Sequence, residues 1–155
     1  RNLKAQAIVE IGIGSAIRTE TMLRVAQKFC VTDTVRYTGI DLFEGREKNQ
    51  DHLTLKDMHK RVQALGVKAQ LVPGSPFMAV PRIANSNLRT DLIIISGGTT
   101  EADLVECWAY FPRMLHAQSV VMFQPALNEK FVTYGRLEIE KRANLQRKAT
   151  RTTAA

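Results

Sequence analysis

A doubly wound α/β domain with a mostly parallel sheet is the fold class this sequence predicts, and three observations predict it. Five short apolar runs recur: "AQAIVEIGI" (5–13), "VRYTGIDL" (35–42), "AQLVPG" (69–74), "DLIIIS" (91–96) and "SVVMFQ" (119–124). Segments with helical spacing separate them. Two of the runs, "DLIIIS" and "SVVMF", are apolar without interruption, as strands covered on both faces tend to be. Strand alternating with helix implies right-handed crossovers between parallel neighbours, with helices on both faces of the sheet.

Each element follows in order. Length and β-branching favour strands over buried helices for the five runs. After the first, Met22, Val25, Ala26 and Phe29 recur at the spacing of one helix face. After the second come the loop "FEGREKNQDH" and the stripe Leu55, Met58, Val62 and Leu65, closed by Gly66 as a C-terminal cap. The third leads into "SPFMAVPRIANSN", a short helix with Ser75 as N-cap, Pro76 in its first turn and Pro81 limiting its regularity. The fourth is followed by the stripe Leu104, Val105, Trp108 and Phe111, stopped by Pro112. Beyond Gln124 the pattern weakens. There "FVTYGRLEIEKR" fits a short antiparallel hairpin around Tyr134–Gly135, or one edge strand after a helical turn. With no internal repeat, linker or low-complexity segment, residues 1–155 read as one domain, with 141–155 as a basic C-terminal tail.

Composition narrows the class. A chain of 155 residues can bury a proper core, and 45% hydrophobic with 24% charged residues is an ordinary globular mixture. No apolar run approaches the ~20 residues that span a bilayer, so no membrane insertion is expected. Cys30 and Cys107 are far apart, lack metal spacing and fall in apolar helical patterns; they read as reduced core residues of a cytoplasmic protein. The chain opens on Arg1 rather than methionine, which leaves a trimmed start and a lost targeting segment open. Net charge is +7, and Lys141 to Ala155 holds five basic residues with no acidic one. A segment like that gathers phosphates or is a frayed, solvated terminus; the second is favoured, because no aromatics interleave with the basic residues to stack bases.

In open α/β sheets ligands bind beyond the carboxyl ends of the strands, where strand order reverses. The first strand-to-helix turn, "EIGIGSA", places Gly12 and Gly14 where side chains would block a ligand lying on the backbone. The helix after it offers its N-terminal N–H groups. A dinucleotide fingerprint wants G-x-G-x-x-G, and Ile17 stands where the third glycine belongs. The alternative, acid-x-G-x-G-x-small, is matched by Glu10, Gly12, Gly14 and Ala16. On these residues the chain resembles the class I S-adenosylmethionine (SAM)-dependent methyltransferases, which are Rossmann-like. Motif order over roughly residues 6–124 carries the resemblance. It implies SAM as cofactor, with Glu10, Gly12, Gly14 and Ala16 forming the methionine-side turn. It implies that Asp41, or Glu44 in its stead, accepts hydrogen bonds from both ribose hydroxyls. Gly74 and Ser75 in "LVPGSP" match the turn beside the adenine, although no acid is present, and Ser75 either bonds the adenine or caps the helix. Ser96 stands at the tip of the fourth strand.

The departures bear on activity. Ser96-Gly97-Gly98 stand where the metal-dependent O-methyltransferase branch has a cation-binding aspartate, and no carboxylate follows before Glu101; no metal is therefore expected. The N-methylating families' Asn/Asp-Pro-Pro-aromatic motif is absent from the same place. In-line displacement at a sulfonium can proceed largely by alignment. Candidate bases are His52, His59 and His116; His59 lies beside Lys60 and Arg61 as on a solvated surface, and His116 suits a helix C-terminus. No catalytic residue is assigned. About five residues precede the first strand and about thirty follow the fifth. The substrate wall would then come from "FEGREKNQDH", the tail or another subunit, and a homo-oligomer is compatible with this. The expected function is a metal-independent SAM-dependent methyltransferase of unknown acceptor, a small molecule being favoured over nucleic acid. Two alternatives stand beside it: a catalytically degenerate Rossmann-like binding or interaction domain, and an RNA-modifying methyltransferase guided by the basic tail.

Overall fold

All five apolar runs are strands in the computed structural model, which describes residues 4–30, 34–46, 53–96, 98–126 and 129–153. They are β1 (Ala7–Ile11), β2 (Arg36–Asp41), β3 (Lys68–Pro73), β4 (Thr90–Ile95) and β5 (Leu115–Phe123). A sixth, β6 (Val132–Gly135), pairs antiparallel with β5, and the sheet runs β3-β2-β1-β4-β5-β6. The chain builds outward from β1 to β3, then returns to β4 on the other side of β1. Strand order therefore reverses between β1 and β4, whose ends lie side by side with Ile11 opposite Ile95.

Alternation along the strands explains why the runs lack polar interruptions. Val9, Ile11, Ile93 and Ile95 point to one face and Ile8, Leu92 and Ile94 to the other, and both faces are covered. On one side lie α1 (Ile17–Phe29) and α2 (Leu55–Ala64); on the other lie α3 (Pro76–Ile83), α4 (Glu101–Leu104), α5 (Phe111–Met114) and α6 (Arg136–Thr153). This is the doubly wound, mostly parallel architecture that the sequence predicts, with an antiparallel strand at its C-terminal edge.

Several details differ from expectation. On α1 the buried residues are Thr19 and Leu23, while Val25 and Phe29 are more than half exposed. The helix is rotated by a polar anchor rather than by its apolar stripe, since the Thr19 hydroxyl donates to the buried Glu10 carboxylate. The stripe from Leu104 to Phe111 is not one helix: α4 gives way to a 3-10 turn at Cys107–Ala109 and then to α5. Pro112 sits in the first turn of α5 instead of ending a helix, a position where its missing N–H costs nothing. Cys107 is buried, and burial first, then the nearby Glu106 and Asp103 charges, pushes its thiol up to about 12; Cys30 is only half-buried. Two expected features do hold: Ser75 occupies the N-cap position of α3 with Pro76 behind it, and Gly66 takes a positive φ just past α2.

The largest correction concerns the C-terminal segment. Tyr134 and Gly135 end β6, and "RLEIEKR", read as hairpin or edge strand, is the start of α6. The basic residues after Glu140 continue that helix to Thr153, and from Asn144 onward its surface is largely exposed, as a solvated terminus would be. Ile139 and Ala143 are buried against the core at i and i+4. Arg142 lies over the rings of Trp108 and Tyr134, at 5.0 and 4.5 Å from their centroids, and donates to Glu101 and to the Tyr134 hydroxyl. Trp108 in turn meets Phe111, Phe123 and Tyr134 edge to face. Part of the basic charge is thus docking chemistry. No helix among the described residues is long and apolar enough to cross a membrane.

If α6 is a packed element, Ala143→Asp places a carboxylate in an apolar, filled site. Unfolding in urea should show a loss of about 3 kcal/mol, whereas a solvated terminus would leave the midpoint unchanged.

Candidate functional site

Beyond Ile11 the chain needs an abrupt turn to lead into α1, and it takes positive φ at alternate residues: Gly12 at +82°, Gly14 at +64° and Ala16 at +65°. The two glycines serve different ends. A Cβ on Gly12 would lie 2.7 Å from the Ser96 hydroxyl oxygen and 3.2 Å from that of Thr99. Its bareness makes room for the neighbouring strand's tip, a constraint beside the ligand room that the sequence implied. A Cβ on Gly14 would meet no atom within 4 Å, because Gly14 opens onto a cleft. Ala16 holds its left-handed backbone with a fully buried methyl against the core, and only a small side chain fits there without worse strain. Ile17, at the third-glycine position, points into solvent.

The cleft, about 560 Å³, lies at the switch point between β1 and β4, within the range of small-molecule sites. It brings together six of the eight residues singled out from the sequence: Gly12, Gly14, Asp41, Gly74, Ser75 and Ser96. Asp41 ends β2 and is buried. Its Oδ2 accepts from the N–H groups of Ile13 (2.7 Å) and Gly14 (3.0 Å), and its Oδ1 from that of Phe43 (3.2 Å). One carboxylate thereby ties the tip of β2 to the glycine turn. Ser75 makes no side-chain cap on α3, so of its two predicted roles the cap is not used. The Ser96 hydroxyl donates to the Gly12 carbonyl and locks the turn against β4.

Glu10 and Ala16 do not line the cleft. Glu10 is completely buried inside the sheet face. Its Oε1 accepts from Arg18 Nε (3.0 Å) and Nη2 (2.6 Å), and its Oε2 from the hydroxyls of Thr19 (2.7 Å) and Tyr37 (2.8 Å). The expected methionine-side acid is therefore an internal anchor that fixes α1, β1 and β2 to each other. Arg18 also donates to the Gly12 carbonyl (2.9 Å) and borders the cleft, carrying the constraint into it.

The histidines lie elsewhere. His59 is exposed on α2, and His116 sits at the start of β5, at the opposite end of the sheet. Its Nε2 is 2.9 Å from Asp91 Oδ1, while Asp91 Oδ2 accepts from the N–H groups of Gln6 and Ala7. That cluster pins the strand beginnings together. His52 falls outside the described residues. Glu44, the substitute for Asp41, points away and accepts from Leu55 N–H at the start of α2. Among the described residues no three His, Cys, Asp or Glu side chains are grouped to hold a metal ion.

Sequence reasoning missed Arg46, Arg18, Leu42 and Thr99 in the cleft wall. Arg46 carried a signal, a cation five residues after the strand-tip acid in the loop "FEGREKNQDH". Arg18 carried one too, a cation one turn after the glycines.

No protein-family model and no curated sequence matches the chain. Solved structures do resemble it in fold. A TehB-like SAM-dependent methyltransferase from Corynebacterium glutamicum superposes with a TM-score of 0.55 at 15% identity, over 94% of this chain and 66% of that one. Phosphoethanolamine N-methyltransferase 1 from Haemonchus contortus, solved with phosphoethanolamine and S-adenosylhomocysteine, gives 0.54 at 14% identity over 79% of this chain and 22% of that one. An O-methyltransferase family protein from Burkholderia thailandensis gives 0.51 at 9% identity over 77% and 32%. The chain thus has a methyltransferase fold and spans less than two thirds of each of these proteins.

The Glu10 anchor has a pH signature. Burial first, then the Glu10 charge and hydrogen bond, holds the Tyr37 phenol well above its ordinary value of 10.0. A raised folded-state value means the stability is complete below the ordinary value and is lost as pH rises toward the raised one. Urea titrations should show stability falling above about pH 10. Tyr37→Phe should make that fall shallower while costing about 2 kcal/mol at neutral pH.

Proposed function

We propose that the chain is the SAM-binding domain of a metal-independent methyltransferase acting on a small molecule. The observation that carries this is the placement of Asp41: a buried carboxylate at the tip of β2, facing a cleft walled on its other side by the glycine turn. The residues present fit the cofactor. Gly14 leaves open space over the N-terminus of α1 for the methionine end. Asp41 has the two-oxygen acceptor that a ribose diol needs. Leu42 and the Gly74–Ser75 turn border the cleft beside it, where an adenine would lie. SAM would supply the transferable methyl group. Glu10 and Ala16 support the turn without touching the ligand, and Ser96 at the β4 tip braces it rather than holding a cation.

The fold shared with methyltransferases, one of them solved with S-adenosylhomocysteine, supports the same reading. A small-molecule acceptor is preferred to RNA because Arg142 and Arg147 of α6 are engaged within the chain. Residues 1–155 are taken as one domain. No side chain is given the role of base: alignment of the acceptor with the methyl group is the main demand of an in-line displacement. One observation favours a second reading, a binding domain that moves no methyl group. The described histidines, His59 and His116, are both remote from the cleft.

Calorimetric titration with SAM and with S-adenosylhomocysteine tests the cofactor assignment. Both should bind, and Asp41→Asn should weaken binding by roughly tenfold or more, since the ribose loses a charged acceptor. Absence of heat from folded wild-type protein would remove the proposal.

A further inference from the structure

The carboxylate assigned to the ribose is already saturated. Besides the three backbone N–H groups, Asp41 accepts from Arg46: Nε at 3.0 Å and Nη2 at 2.7 Å on Oδ1, and Nη2 at 2.8 Å on Oδ2. A carboxylate offers about four lone-pair positions, so a diol can enter only where a present donor leaves. The backbone donors are not free to go. Ile13 and Gly14 are held by the turn, and Phe43 by the 3-10 turn at Phe43–Gly45. Arg46 is different. It follows that 3-10 turn in extended conformation, its side chain is about one quarter exposed against 3% for Asp41, and it lines the cleft.

We propose that Arg46 is a competitive gate on the adenosyl site, its guanidinium holding the place on Asp41 that a ligand's hydroxyls must take. This inference rests on the SAM-binding reading and names a residue that reading did not require. The planar guanidinium fork and a cis-diol both present two donors to a carboxylate, so one exchanges for the other without stranding an oxygen of Asp41. The three backbone donors keep Asp41 anchored throughout.

The test is calorimetric titration of S-adenosylhomocysteine into the full chain as wild type, Arg46→Ala and Arg46→Gln, each shown folded by circular dichroism and urea unfolding. Removing the competitor should tighten binding by roughly tenfold in Arg46→Ala, and Arg46→Gln, which keeps size without the charged fork, should also bind more tightly than wild type. If wild type binds and both variants bind equally well or more weakly, the gate is overturned while the cofactor assignment stands. If neither the wild type nor the variants bind, the cofactor assignment fails and the gate with it.

Discussion

The hydrogen bonds from the Ile13 and Gly14 N–H groups to Asp41 are the interaction on which the cleft depends. In this turn Gly12 N–H still reaches the Ile40 carbonyl, but the N–H groups of Ile13 and Gly14 point away from helix and ladder, and donors removed from water must be paired. A single carboxylate from the adjacent strand meets both. Because β1 and β2 are locked in register along their whole length, with Glu10 opposite Gly39 and Ile11 opposite Ile40, the acid arrives at one position relative to the turn. Strand pairing thereby sets the shape of the site before any ligand is present.

A second buried carboxylate, Glu10, does the complementary work deeper along the same face of the sheet. It gathers donors from α1 and β2 and so fixes the rotation of α1 and the place of Arg18. Removing it would leave Arg18, Thr19 and Tyr37 without their shared acceptor. Two acids on neighbouring strands are therefore used differently, one within the frame and one at the cleft. Their division of labour follows from depth along the strands: Glu10 lies opposite Gly39 inside the sheet, whereas Asp41 is the last residue of its strand.

That division also marks what the sequence could reveal. Strands covered on both faces advertise themselves by unbroken apolar runs, so the sheet and its order of elements were legible. The acid-x-G-x-G pattern located the turn, and Asp41 located the strand tip. Direction was not legible: whether Glu10 looks in or out depends on Tyr37, 27 residues away. The glycine pattern likewise did not say that Gly12 yields to Ser96, a partner 84 residues distant. The same cause shifts the buried face of α1: Thr19, bonded to Glu10, is buried and Val25 and Phe29 are exposed, while Met22 and Ala26 of the expected stripe pack against the core. It also hid α6, whose Ile139 and Ala143 are buried only because the distant Trp108 turn and β5 pack against the helix. Exposed Leu137 and Leu145 blur that pattern in the sequence.

The central claim is that one cleft, framed by the glycine turn, the β2 tip and the Gly74–Ser75 turn, receives an adenosyl ligand. Amide nuclear magnetic resonance during titration with S-adenosylhomocysteine tests it residue by residue. The N–H signals of Ile13, Gly14, Phe43 and Gly74 should move together with one saturation curve, while those of Gln6, Ala7 and His116 at the opposite end of the sheet stay still. Shifts that gather around those strand beginnings, or a folded protein whose turn amides do not respond, would contradict the account.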